Sequence, residues 1–469
     1  MMASCPRSWS PFRRHFDMRS RVLILSCCRQ QYSTRTMSIS TARLCKPPPR
    51  NTMRLSRVWA PLATLLGLSS VVRGLAVPAP QIRSLSINRP KPGLEPPEFA
   101  FAFDIDGVLL HEKKALPGAA QTLQYLHDHS IPFIFLTNSG GKHEHERVKE
   151  LSEKLGVNFT VDNFVQSHTP FKALVHGEHG LENKTVLVTG ADASKCRDIA
   201  EEYGFRNVIT PGDILVAHPE AWPFDALLDT VYKDVARPLP KPLWAPGQPL
   251  EDSLKIDAIM VMHDPRDWAW EIQLFTDLLQ SHDGILGTYS DRNGDPDLPN
   301  HGWQQDGQPK VYFSNSDLYW VTDFPLRRFG QGAFQHAFAG VWERITGGEH
   351  ELERELYGKP YGVTYQYAED MLRKFRLDML TNMGHDELGD LKRVYMVGDN
   401  PDSDIAGANN HVSKYGTKWS SILVGTGVWN EQRDGMRKLI GDREPTAIQA
   451  NVLEAVRWGL DNEGWKHHL

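Results

Sequence analysis

Asp104 and Asp106 stand two residues apart in FAFDIDGVLL, directly behind an apolar run and directly before a glycine. Carboxylates at the end of a buried strand are where an open parallel sheet presents its ligand-binding groups. Such a pair can divide acid and base work, one member ionised and the other carrying a proton. Taken alone, the stretch is equally compatible with a solvated turn, because Asp and Gly are both turn formers. A calcium loop is excluded, since Gly107 is fourth rather than sixth counting from Asp104 and no Glu stands at the twelfth position.

Three further pieces have the right types for related chemistry. Thr137-Asn138 closes the run IPFIFL, and a hydroxyl, an amide and the backbone N–H groups of Ser139, Gly140 and Gly141 can wrap an anion there. Lys359 in LYGKP offers a single cation. In GDNPDSD, Asp399 ends the run VYMV and Asp404 follows five residues later. Acids at a strand end suit a hard divalent cation such as Mg²⁺, which prefers oxygen ligands. Each piece also has a bland reading: a turn for Thr137-Asn138 and a surface lysine beside Pro360 for Lys359.

The elements that must hold these residues alternate along the chain. A strand ending at Asp104, a helix through Tyr125 and Leu126, the strand IPFIFL and a charged helix from His143 to Leu155 make a βαβ pattern. TVLVTG (185–190) and IDAIMVMHD (256–264) repeat strand followed by helix, and KRVYMVGDN and SSILVGTG supply the last clear strands. The Pro- and Trp-rich stretch 211–255 and the run SDRNGDPDLPNHGWQQDGQP read as long loops of an inserted region.

In the order DxDG, TN, Lys, GDxxxxD, the four pieces resemble the motifs of the haloacid dehalogenase (HAD) superfamily of phosphohydrolases, over about residues 98–460. The long interval between Asn138 and Lys359 is where the subfamily IIA (NagD-like) phosphatases insert a cap. The run YFSNSDLYWVTDFPLRRFGQGAF, 312–334, is similar to their cap-exit segment. The basic leader, the Trp-rich insert and FGQGAF resemble the mitochondrial cat-eye-syndrome-critical-region type most.

The resemblance implies an α/β fold: a Rossmann-like doubly wound parallel sheet core with an inserted α/β cap domain of type C2. It implies a leader over 1–75, a Pro-rich linker over 76–97, core over 98–170 and 335–469, and cap over 171–334. It further implies a phosphoric monoester hydrolase in which Asp104 attacks phosphorus and Asp106 serves as acid and then base. Thr137, Asn138 and Lys359 would hold the phosphoryl oxygens. Asp104, the Asp106 carbonyl, Asp399 and Asp404 would hold Mg²⁺, with Asp404 as ligand or support. Dehalogenases of the superfamily generally lack an acid at the position of Asp106, so phosphoester hydrolysis is favoured; a catalytically quiet binding or assembly protein, or a lipid-related phosphatase, are the competing readings. Within the cap, Arg327 and Arg328 are candidates to meet a charged group of the substrate, against the alternative of solvated surface arginines.

Charge narrows the partners. The first eighty residues hold thirteen Lys or Arg and one acid, Asp17, which leaves 52 − 13 = 39 basic and 58 − 1 = 57 acidic residues in the body, a charge near −18. An acidic body argues against nucleic acid, whose phosphates call for basic clusters. The expected partner is a small phosphorylated substrate; a homodimer through the cap is compatible with the sequence, and oligomeric state stays open. The Arg- and Ser-rich, acid-poor front end reads as a mitochondrial transit peptide, with the matrix as destination. The apolar segment 58–72 keeps a membrane-tethered form, or a secretory route from an internal start at Met53, as alternatives, but it is too short for a stable membrane span. Cys196 is the body's single cysteine, so nothing in it requires an oxidising compartment.

Overall fold

The strand FAFAF, Phe99–Phe103, is buried on both faces, and its residues divide by size. Phe99, Phe101 and Phe103 point into one apolar cluster, with the helices Ala119–Asp128, Glu144–Leu155 and Val452–Asn462. Ala100 and Ala102 point into another, where Tyr365, Ala368 and Leu372 of the helix Gly362–Asn382 close on the sheet. Alternation with period two puts successive side chains on opposite faces, and a parallel strand covered by helices on both faces must be apolar throughout.

The structure, a computed structural model, describes residues 96–469 apart from 112–113, 224–226, 321, 323, 325, 349, 385–388, 436–438 and 468. The expected leader, the apolar segment 58–72 and most of the linker lie outside the described residues. The chain begins with β1 (Phe99–Phe103), turns through a hairpin of β2 (Leu110–His111) and β3 (Lys114–Ala115), and continues with β4 (Phe133–Leu136) and β5 (Phe164–Val165). It then forms β6 (Thr185–Thr189), β7 (Asn207–Ile209), β8 (Ala258–Val261) and β9 (Lys310–Phe313). A second hairpin of β10 (Tyr319–Trp320) and β11 (Arg328–Phe329) precedes β12 (Glu355–Leu356), and the chain finishes with β13 (Arg393–Gly398), β14 (Lys418–Val424) and β15 (Ala447–Gln449).

Two parallel sheets result. One runs β15-β14-β13-β1-β4-β5 and the other β12-β9-β8-β6-β7. The α/β class and the Rossmann-like core are therefore as the sequence implied. In the first sheet the order reverses beside β1, with β4 on one side and β13 on the other. Such a switch point opens a crevice at the carboxyl ends of the strands, and Asp104 follows β1 there, Thr137 follows β4, and Asp399 follows β13.

The second sheet takes in chain beyond residue 334. The helix Gln331–Thr346 buries Phe334, Phe338 and Trp342 against Ile259 and Val261 of β8, and β12 pairs with β9. The FGQGAF run therefore begins a helix of this layer. A Cβ on Gly332 would lie 2.3 Å from the Ser316 carbonyl oxygen, so the glycine is what allows the helix to start so close to 316–317. The stretch 211–255 is also not all loop: Pro211–Ala217 is helical, opened by a capping box between Thr210 and Asp213. No helix among the described residues is long and apolar enough to cross a membrane.

Candidate active site

Lys359 reaches the crevice from a segment between the two sheets, at the end of a tight turn. Gly358 has φ of +79°, and a Cβ there would lie 2.4 Å from the Ser314 carbonyl oxygen, so a side chain at that position has no room. Asn138 fixes the next residue: its Oδ1 accepts from Lys359 N (2.7 Å) and its Nδ2 donates to Lys359 O (2.9 Å). The Nδ2 also donates to Asp317 Oδ2 (3.0 Å). The Asn138 side chain is thus spent on the protein, where the sequence reading had it holding phosphoryl oxygens. Thr137 is buried beside it, its Oγ1 accepting from Ser139 N (3.1 Å) with the hydroxyl proton still available to donate.

So braced, the Lys359 ammonium donates to Asp104 Oδ1 (2.7 Å) and to Leu136 O (2.8 Å). It is also 2.7 Å from Asp404 Oδ1, a charge contact in which that oxygen has no aligned hydrogen bond. The other Asp404 oxygen accepts from the N–H groups of Asp399 and Asn400, both at 3.0 Å, and so shapes the turn after β13. Asp399 Oδ2 accepts from Val428 N. All of Asp104, Lys359, Asp399 and Asp404 are buried.

The electrostatics follow from that burial. Desolvation pushes Asp104 up to about 7, with Lys359 pulling it back down and Asp404 adding to the rise. Asp399 is pushed well above the usual carboxylate range, first by burial and then by the charges of Asp104 and Asp404. Burial opposes the charge on Lys359, but Asp104 and Asp404 outweigh it and hold the ammonium above its ordinary value. Asp317 rises to about 6, again by burial, with Lys359 opposing.

Asp104, Asp399 and Asp404 bring carboxylate oxygens within 4.8 Å of one another. Three buried acids against one ammonium leave negative charge that a hard dication offsets, and an all-oxygen donor set suits Mg²⁺. The space is shaped for it by two glycines. A Cβ on Gly107, whose φ is +93°, would lie 2.3 Å from Asp399 Oδ2, and one on Gly427 would lie 1.9 Å from the same atom. These residues fit a bound divalent cation.

Asp106 points outward. Its Oδ2 accepts from Ser139 Oγ (2.6 Å) and lies 3.6 Å from Arg147 of the helix Glu144–Leu155. Together with Asp104, Thr137, Asn138, Lys359, Asp399 and Asp404 it lines a cleft of about 640 Å³, whose far wall is His263, Asp264 and Arg266 after β8 and Tyr319 and Trp320 of β10. Neither arginine expected in the cap lines the cleft. Arg327 donates to Val428 O (3.0 Å) and meets Asp434, while Arg328 lies over the Phe324 ring with its Nε on the carbonyls of Leu326 and Arg327.

Two features of the site escape the sequence. Asp317 is one, and its trace in the sequence is an acid four residues beyond β9. The other is a buried relay at the junction of the two sheets. Gly141 N donates to His168 Nε2 (3.2 Å), so His168 Nδ1 carries the proton and donates to Tyr203 Oη (2.7 Å), which donates to Glu144 Oε1 (2.5 Å). Burial pushes His168 down to about 4, which keeps its imidazole neutral as this arrangement requires.

A family model for haloacid dehalogenase-like hydrolases matches residues 101–206, and one described as HAD-hydrolase-like matches residues 356–455. A mitochondrial hydrolase of Saccharomyces cerevisiae is 35% identical over 377 residues, covering 78% of this chain and 96% of the yeast protein. The chain belongs to the haloacid dehalogenase-like hydrolase family. A second relative of this hydrolase, from Schizosaccharomyces pombe, is named a cardiolipin synthase (CMP-forming)/mitochondrial hydrolase fusion protein and is 38% identical over 370 residues, 77% of this chain. The chain spans about half the length of that fusion, 53%. Among solved structures, NagD from Escherichia coli K-12 is similar over 75% of this chain and 96% of its own, at 19% identity and a TM-score of 0.41.

Proposed function

We propose that this HAD-like hydrolase is a Mg²⁺-dependent phosphatase that cleaves a phosphate monoester through an aspartyl-phosphate on Asp104. The observation that carries the reading is the Lys359 ammonium 2.7 Å from Asp104 Oδ1 at the mouth of the sheet's switch point, with Asp399 and Asp404 beside it. Asp104 attacks phosphorus, and Asp106 protonates the leaving oxygen and then takes a proton from the water that hydrolyses the acyl phosphate. Asp106 must turn inward from Ser139 and Arg147 to do so. Thr137 and Lys359 offer donors to the phosphoryl oxygens, while Asn138 acts by holding Lys359 in place. Asp104, the Asp106 carbonyl and Asp399 would hold Mg²⁺, with Asp404 in support because its oxygens already serve Lys359 and the turn. When bound by these residues, the cation would supply positive charge against the repulsion between the Asp104 carboxylate and the phosphate.

The five-stranded sheet is then the cap, with limits near 171 and 356, and the cleft beneath it selects the substrate. The basic leader and the names of the relatives support a mitochondrial setting. A lipid phosphate is a second reading of the substrate, favoured by an exposed aromatic hairpin at the cleft's edge and by the relative whose name joins a hydrolase to a phospholipid synthase. The test is a panel of phosphate monoesters, with Mg²⁺ or with a chelator, for the wild type and Asp104→Asn. Mg²⁺-dependent phosphate release that Asp104→Asn lacks is expected, and a wild type no faster than the variant on every ester sinks the reading.

A further inference from the structure

The body of the chain is strongly acidic, yet cations gather on the walls of the catalytic cleft. Arg147 and Lys154 line it from the helix Glu144–Leu155, Lys142 from just before that helix, and Arg266 from the far wall, after β8. Residues 147, 150 and 154 share one face of the helix because they are spaced three and four apart. Glu150 is the acid of that face and is already used: Lys142 Nζ donates to its Oε1, and Arg147 Nη1 donates to its Oε2 at 3.4 Å. Neither the Lys154 ammonium nor the Arg266 guanidinium has a hydrogen bond or an ion pair with any described residue. Burial, and then the charge of Arg147, pushes Lys154 below its ordinary value, with Glu150 opposing. An arriving anion would relieve that ammonium.

The helix wall also holds the acid. Arg147 lies 3.6 Å from Asp106 Oδ2 while Asp106 points outward, and the arginine side chain is only 14% exposed. When Asp106 turns inward to the leaving oxygen, Arg147 gives up that carboxylate, and a largely buried cation short of a partner is costly. A second anion on the leaving group fills the gap, taking Arg147 as Asp106 departs. Carboxylate and phosphate both present the oxygens that a guanidinium fork and an ammonium bind with charge-assisted hydrogen bonds. At about 640 Å³ the cleft has the volume of a small-molecule site.

We propose that the cleft contains a second anion site, formed by Arg147 and Lys154 on one wall and Arg266 on the other, and that the substrate is a phosphate monoester whose alcohol carries a carboxylate or a second phosphate. The inference rests on the phosphatase reading for the phosphate that is cleaved; binding of the second anion does not depend on turnover. An ester with an uncharged alcohol leaves Arg147 holding Asp106 outward, whereas the anionic ester frees the acid for its work. The reaction balances as ester plus water giving the anionic alcohol plus inorganic phosphate. The bond from phosphorus to the alcohol oxygen breaks, Asp106 gives a proton to that oxygen, and the oxygen of water ends on phosphate.

The experiment uses the whole chain with Mg²⁺ and two matched pairs of esters: phosphoglycerate against glycerol phosphate, and fructose bisphosphate against fructose monophosphate. The quantity read is the ratio of kcat/KM within each pair, which cancels any general effect of a variant on the fold or on the chemistry. The wild type is expected to favour the member with the extra charge by ~10-fold or more in one pair at least, and the pair that shows it tells carboxylate from phosphate. Arg266→Gln and Lys154→Gln are each expected to bring that ratio down several-fold. A wild-type ratio near one in both pairs overturns the second anion site and leaves the phosphatase reading standing, and a ratio that neither variant changes overturns it as well. Should the wild type hydrolyse none of the four, calorimetric binding to Asp104→Asn with Mg²⁺ reads the same pairs as ratios of Kd. A preference for the extra charge there keeps the anion site and counts against the phosphatase reading, while no preference removes the anion site too.

Discussion

Asn138 grips Lys359 by both backbone groups, accepting from its N–H at 2.7 Å and donating to its carbonyl at 2.9 Å across 221 residues of sequence. The lysine that meets Asp104 is therefore positioned by the strand end that carries Thr137. Asn138→Ala leaves both backbone groups without those partners, which costs about 1–3 kcal/mol of stability. Misplacing the ammonium is expected to lower kcat ~100-fold. Steady-state kinetics beside a thermal melt checks this, and a folded variant with kcat unchanged contradicts it.

Gly427 makes a sharper claim about the cation, because a Cβ there would stand 1.9 Å from Asp399 Oδ2. Gly427→Ala forces that carboxylate or its loop to move. Apparent Mg²⁺ affinity is expected to fall by about tenfold or more, the scale seen when a ligand's supports are disturbed. Titrating Mg²⁺ into the activity assay at fixed substrate measures it.

Much of this site was legible in the sequence because strand-end acids and turn residues are local features. The strands before Asp104, Thr137 and Asp399 are short apolar runs with clear stops, and all three residues meet at the carboxyl ends of neighbouring strands of one sheet. What escaped depends on contacts far apart in sequence. The Asn138 side chain has an anion-binding type, and only the fold shows it occupied by Lys359 and Asp317. Arg327 has a substrate-binding type, yet Val428, 101 residues on, takes it, while Arg328 is taken within its own hairpin by Phe324. The glycines at 330 and 332 open the helix Gln331–Thr346, and their close approach to the 316–317 backbone shows only in the fold.

Glu271 predicts a pH-dependent stability. It is buried under β6, accepts from Thr189 Oγ1 at 2.7 Å, and desolvation pushes it from 4.5 up to about 8. The folded state therefore holds this proton more tightly than the unfolded chain, and stability is lost as pH rises from the ordinary glutamate range towards 8. Glu271→Gln keeps an acceptor for Thr189 and removes the titration. The variant is expected to gain stability over wild type by up to a few kcal/mol (~1.4 per unit of pKa) near pH 8 and little near pH 5. Equal differences in Tm at the two pH values contradict the burial argument.

The relay from Gly141 through His168 and Tyr203 to Glu144 joins the loop after β4 to the helix Ala193–Tyr203 of the second sheet. Tyr203→Phe deletes the hydroxyl at its centre and leaves His168 Nδ1–H buried without that acceptor. A loss of about 1–3 kcal/mol is expected in chemical denaturation, with faster amide exchange at Gly141. Unchanged exchange there removes the relay from the account.

The central claim is that Asp104 becomes phosphorylated. Acid-quenching the enzyme during turnover of a phosphate ester with Mg²⁺, then mapping hydroxylamine-labile phosphate by peptide mass, tests it directly. The label is expected on the peptide holding Asp104, increased in Asp106→Asn and absent in Asp104→Asn, whose turnover falls on the order of 10⁴-fold or more. Turnover that leaves no label on that peptide, or that survives Asp104→Asn, contradicts the account.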